Sequence, residues 1–246
     1  MDHVKESFCY RFSDSMLSKV LASQSFIEHG GPFLTLRQQF NSRGWLRVWE
    51  AKNSKHLAKV LHLWVHNSEI GLDSNMISVF AQQKSPMPHL TCHYVGAPNN
   101  QFSFHTDLLP RVDPVMHPDY VNHVYKPLTH SFHQTKEILG YWSRSSEHEY
   151  LMSGWGVFGE NITFEQMMKV RPVIESYFSH FINLLETKIP HGNVSEHDLS
   201  SRHRKQVLTL FNRDTDPDSY GILDNLFGSE ITDQINEIHI NDMGHN

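Results

Sequence analysis

The hydrophobic pattern changes period partway along the chain. Up to Pro110, apolar residues tend to alternate with polar ones in short runs; from Thr163 onward they recur at three and four. Ala58–His66, AKVLHLWVH, alternates cleanly, with Leu61, Leu63 and Val65 on one face and His62, Trp64 and His66 on the other. WLRVWE (residues 45–50) before it and Met76–Ala81 after it have strand character. Leu90–Val95 and Gln101–Asp107, joined by a turn rich in Gly, Pro and Asn, predict a hairpin. Five strands with short connections make an antiparallel meander.

The hairpin has a preferred register. Pairing Val95 with Gln101 sets His93 opposite Ser103, Thr91 opposite His105 and His89 opposite Asp107. Leu90, Cys92, Tyr94, Phe102 and Phe104 then collect on the other face. A slip of one residue would mix the two faces and is disfavoured. The polar face carries three His with a Thr, a Ser and an Asp. Solvent-facing strands favour Lys, Glu and Thr, so this face suggests a lined cavity, with an ordinary wet sheet face as the alternative.

The helices are mostly later. Residues 13–29 predict one early helix, capped near Ser13, stopped at Gly30-Gly31 and apolar along Leu17, Val20, Leu21 and Phe26. Asp119–Tyr125 and Ser131–Leu139 read as short helices, while Tyr150–Phe158 leaves strand or loop open. Thr163 with Gln166 forms a capping box, followed by Met167, Ile174, Phe178, Phe181 and Leu185 at helical spacing. Pro172 kinks that helix or marks its start. Ser195 with Asp198 caps a helix running to about Phe211, and Tyr220–Phe227 (stopped by Gly228) and Glu230–Ile240 close the chain. The class is α+β: a single domain over 1–246.

Composition narrows the function. A chain of 246 residues buries one sizeable core, and no Pro/Gly/Ser linker divides it. No apolar run approaches the ~18–20 residues that cross a bilayer. MDHVKESFCYRF is neither a signal nor an Arg/Ser-rich transit peptide, and Cys9 and Cys92, far apart, fit free thiols in a reducing compartment. A cytoplasmic protein is expected, or a plastid stromal one after removal of a transit peptide, as monomer or homodimer. The net charge of −6 argues against nucleic-acid binding through a general positive field. Nineteen histidines are many for this length, and those at alternating strand positions carry the chemistry.

His62, Trp64 and His66, with Thr91, His93, Ser103, His105 and Asp107, are candidates to line one cavity. Histidines on adjacent strands suit a metal, but no compact ligand motif such as HxH with a following carboxylate occurs in order, and no metal is expected. The other chemistry they suit is proton transfer and hydrogen bonding to an organic ligand, since imidazole titrates near the working pH.

PHLTCHYVGAPNNQFSFHTDLLPRVD followed by HPDYV resembles the central segment of the ferredoxin-dependent bilin reductase superfamily, and within it red chlorophyll catabolite reductase, with DLLPRVDPVMHPDYV the most specific piece. LRVW, LWVH and NMISVFA match three preceding strands in order, and DPDSYGILDNLFGSEITDQINEIHI resembles the closing segment. The resemblance runs from about Trp45 onward and is weak between Tyr141 and Ile189. It implies an α/β/α sandwich, a central antiparallel sheet flanked by helices, with the substrate between the sheet and the C-terminal helices. It also implies reduction of an open-chain tetrapyrrole, a red chlorophyll catabolite or related bilin, by electrons taken singly from ferredoxin with no bound cofactor. A tetrapyrrole-binding carrier that does not reduce its ligand is the alternative.

Position by position, the family's acidic residue on the first hairpin strand falls on His93, a departure that changes the proton donor without removing it. His93 is alternatively a pocket wall held by Ser103. A second acid is expected among Asp214, Asp216 and Asp218. Asp216 comes first, and Asp218 alternatively caps the next helix. Asp107 matches a family Asp, or else bonds the backbone of the LLPR turn. For a ligand with propionates and broad apolar faces, Arg111 and Arg213 are available cations, and Trp64, Trp155, Phe80 and Tyr220 available aromatics. An acidic ferredoxin needs a basic patch, for which Ser201–Gln206 (SRHRKQ) with Lys55 and Lys59 is the candidate; the alternative is a solvated helix face.

Overall fold

Among the described residues, eight strands form one wholly antiparallel sheet: β1 (Phe26–Glu28), β2 (Leu34–Leu36), β3 (Ser42–Ala51), β4 (Leu57–Asn67), β5 (Leu72–Ala81), β6 (His89–Ala97), β7 (Gln101–Leu109) and β8 (Val157–Thr163). The order is β1-β3-β4-β5-β6-β7-β8, with β2 also pairing β3. The computed structural model describes residues 8–29, 34–36, 42–140 and 152–241. The meander from β3 to β7 is present as expected, and β8 extends its far edge. In the stretch Tyr150–Phe158, left open between strand and loop, the strand begins only at Val157; residues 141–151 lie outside the described ones.

The hairpin keeps the expected faces with a different register. His93 pairs with His105, Val95 with Ser103, Thr91 with Asp107 and His89 with Leu109. Strand β6 runs two residues further into the turn, to Ala97, and the turn closes over Pro98–Asn100, where Asn100 takes φ +57°. Asn tolerates that left-handed backbone better than most residues. A two-residue slip preserves every side chain's face because the period is two.

Helices cover both faces. One layer holds α1 (Phe8–Ser23), α2 (Pro118–Val124), α3 (Thr129–Leu139) and α4 (Phe164–Leu184). Its core joins Phe12, Met16, Ile174 and Phe178 to Cys92, Tyr94 and Phe104, all buried. Fully burying one such large apolar side chain contributes about 1.5–3 kcal/mol. α1 begins five residues before the expected Ser13, which is buried rather than capping. The capping box at Thr163 and Gln166 has both reciprocal bonds, and α4 continues through Pro172.

The opposite layer holds α5 (Glu196–Leu210), α6 (Pro217–Phe227) and α7 (Ser229–Ile240). Ser195 caps α5 by accepting from the Asp198 N–H at 3.1 Å. Val207, Phe211, Leu226, Phe227 and Ile235 cover Leu46, Val48, Leu61, Leu63 and Phe80. This second core seals the β3–β5 half of the sheet and stops short of the β6–β8 half. The arrangement is the expected α+β sandwich of a central antiparallel sheet between helices. No helix among the described residues is long and apolar enough to cross a membrane.

Candidate functional site

Where the second core ends, a cavity of about 370 Å³ opens between β5–β8 and the segment joining α5 to α6. That volume lies in the range of small-molecule sites. Met76, Ser78, Thr91 and His93 form its floor; Phe158 and Glu160 of β8, Phe211, Thr215 and Asp216 are among its walls. Alternation places His93, Ser103 and His105 on this floor, and the register sets His93 and His105 directly across from one another.

Ser74 of β5, whose Cα pairs with Val95, holds the His93 ring through Oγ at 2.8 Å from Nε2. The expected holder was Ser103, one strand over; the two-residue register shift moves Ser103 opposite Val95 instead. Burial depresses the His93 pKa, and the nearby Asp216 carboxylate opposes that by favouring the protonated ring. Two residues more than 120 apart in sequence thus meet electrostatically in the cavity. Asp216 arrives there as the N-cap of α6, its Oδ1 accepting from the Ser219 N–H at 3.2 Å. Pro217 follows at the first helical turn, where a missing N–H costs nothing. Asp218, the residue expected to cap, lies in the first turn and also lines the cavity.

Asp107 is sealed rather than presented. It is fully buried, with Oδ2 accepting from the Ser153 N–H at 2.7 Å and Oδ1 from Ser153 Oγ at 2.5 Å. A Cβ at Gly156 would stand 2.9 Å from Asp107 Cγ, so glycine there permits the close approach. The carboxylate therefore anchors the segment leading into β8.

Three candidates lie on the wrong side of the sheet. Leu63, not His62 or Trp64, shares Met76 with His93 through the β4–β5–β6 pairing. His62, Trp64 and His66 consequently face the α1 layer. His62 is buried against Asn75, at 3.4 Å, with a pKa lowered by burial to about 4. Trp64 donates to Asp73 at 3.0 Å, and His66 stacks on it with ring centroids 5.9 Å apart. This division also splits the histidines that a metal reading would join, and no group of three or more metal-binding side chains assembles among the described residues.

The two arginines are structural clamps. Arg111, buried, donates to the carbonyls of Gln82, Gln83 and Leu199, tying the β5–β6 connection to α5. Arg213 grips Asp224 and Asp233, joining α6 to α7, with its guanidinium over the Tyr220 ring. The expected aromatics are engaged elsewhere too. Trp155 stacks on Tyr125, Phe80 packs in the second core and Tyr220 donates to the Phe211 carbonyl. The aromatic walls that face the cavity are Phe158 and Phe211. Phe158 closed a stretch that the sequence left open between strand and loop, and nothing local marked Ser74, Glu160 or Thr215.

The basic patch is smaller than expected. Lys59 is 3% exposed and donates to the carbonyls of Ile238, His239 and Asn241 at the end of α7. Arg202 donates to the Pro110 carbonyl, and His203 is buried. Lys55, Arg204 and Lys205 remain exposed.

A family model described as red chlorophyll catabolite reductase (RCC reductase) matches residues 34–143, the span from β2 through α3. No curated protein matches the chain. Among solved structures, the chain is similar to phytochromobilin synthase from tomato in complex with biliverdin, with a TM-score of 0.77 over 96% of this chain and 85% of that one. Sequence identity is 12%, so this likeness is one of fold. The expected resemblance to red chlorophyll catabolite reductase is borne out over residues 34–143, and that to a bilin reductase at the level of fold.

Proposed function

With residues 34–143 matching the red chlorophyll catabolite reductase family, we propose that this chain reduces an open-chain tetrapyrrole with electrons from reduced ferredoxin. The observation that carries the proposal is the cavity itself. Its floor presents His93 and His105, and its wall brings Asp216 to His93. The bound tetrapyrrole accepts the electrons, so the protein's work is to hold its conjugated plane and deliver protons to it. Each pair of electrons added to a double bond is matched by two protons. His93 supplies the first from a ring fixed by Ser74 and, reprotonated from solvent with the Asp216 carboxylate favouring the imidazolium, supplies the second. No resident cofactor is needed for this chemistry. Ferredoxin, an acidic partner in plant-type systems, would dock through the exposed Lys55, Arg204 and Lys205.

A second reading follows from one feature. Burial keeps the His93 ring neutral over more of the pH range than a free imidazole, which suits a wall that binds a tetrapyrrole without reducing it. Anaerobic incubation with a bilin or chlorophyll catabolite and reduced ferredoxin, followed by absorbance, separates the two. A progressive spectral change supports reduction, and binding without turnover supports the carrier. No spectral change at all would sink both.

A further inference from the structure

A tetrapyrrole carrying free propionates is expected to meet cations, yet the cavity wall holds none among the described residues. Arg111 and Arg213, the nearest candidates in sequence terms, are committed to backbone carbonyls and to Asp224 and Asp233. The charged groups that do line the cavity are Glu160, Asp216 and Asp218. Glu160 and Asp218 are exposed at its mouth, and no Lys or Arg pairs with any of the three among the described residues. His93 does not offset them, because burial holds it toward its neutral form. A ligand carboxylate entering here meets like charge, whereas pyrrole N–H groups and lactam edges meet acceptors.

We propose that the cavity selects tetrapyrroles whose entering edge is uncharged, esterified or lacking a carboxylate, and leaves any remaining carboxylate in solvent. This rests on the tetrapyrrole reading above and specifies the charge class within it. Selection arises by repulsion against the wrong ligand as much as by attraction for the right one. Like charges about 7 Å apart in water repel by about one thermal unit per pair, so a few such pairs shift affinity about tenfold.

Absorbance titration with biliverdin and with its dimethyl ester tests this directly. At an ionic strength of about 0.01 M the ester should bind about tenfold more tightly. The gap should close toward about 1 M, as the Debye length falls from about 30 to about 3 Å. In the double variant Glu160→Gln and Asp218→Asn, both at exposed positions, the gap should narrow already at low salt. A free acid that binds more tightly than the ester and weakens with salt would overturn the inference while leaving the tetrapyrrole reading intact. So would a gap that neither salt nor the double variant changes, since greasiness alone would then explain it. If the unaltered protein binds neither ligand, the tetrapyrrole reading fails and takes this inference with it.

Discussion

The two faces of the β6–β7 hairpin use the same backbone for opposite ends. On one, Cys92, Tyr94 and Phe104 are at most 3% exposed beneath α1 and α4. On the other, His93, Ser103 and His105 keep partial exposure in a cavity that α5–α7 border but do not fill. The dry face stabilises the sheet; the other lines the cavity with titratable groups. Histidine count does not distinguish them, for His62 and His66 lie on the packed side. Their difference is the layer they meet, and under the proposed function it brings one set to the ligand and leaves the other to packing.

The sharpest way to break that assignment is His93→Gln. Glutamine hydrogen-bonds but cannot titrate, so turnover should fall ~10²–10⁴-fold with tetrapyrrole affinity largely kept. His93→Glu should recover part of the rate and move its pH dependence toward acid. Stopped-flow reduction at saturating ligand measures both, and an unchanged rate and pH profile in His93→Gln would make His93 wall rather than chemistry.

A smaller effect is expected from the sealed half of the cavity-side layer. Lys59→Met leaves three carbonyls at the end of α7 without their cation, and should lower urea stability by about 2–4 kcal/mol. Ligand affinity should change much less, since Lys59 is not in the cavity wall.

Acidification should destabilise the protein through histidines on both faces. Burial lowers His62 and His239 to about 4 and also depresses His89 and His93. The folded state therefore refuses protons that the unfolded chain accepts below about 6.5. The contribution is complete above that value and is lost as pH falls toward about 4. Each withheld proton costs about 1.4 kcal/mol per pH unit in this window. Denaturant midpoints measured from pH 7 to 4 should fall throughout; a rise would contradict the burial of these rings.

The smallest effect belongs to His66→Ala, which should leave tetrapyrrole affinity within about twofold, the range of a surface change remote from the site. A large loss of affinity in the same titration would return the β4 histidines to the ligand.

These outcomes follow the line between what the sequence disclosed and what it concealed. Period-two alternation correctly sorted the hairpin residues by face, because face is a local property of a strand. It could not separate registers two residues apart, since both give the same faces, and the turn at Pro98–Asn100 decided between them. Nor did alternation within β4 reveal which of its faces continues that of β6. That depends on pairing through β5, where Met76 links Leu63 to His93. Asp216 was found because the family's closing segment pointed to it, although its local role as helix cap had been expected of Asp218. Arg111 and Lys59 look like ligand or partner cations in sequence. Only the chain's long-range path brings backbone carbonyls to them, and no local pattern encodes that.

The proposed function requires the ligand on the His93 face of the sheet. One titration addresses this most directly: biliverdin binding, followed by absorbance, to Ser103→Trp, with His66→Trp as the opposite-face control. Indole at 103 projects into the cavity and should weaken binding at least about tenfold, a change of about 1.4 kcal/mol or more. The control should bind as the unaltered protein does. Undiminished binding by Ser103→Trp, with loss in His66→Trp, would place the ligand on the other face and contradict the account.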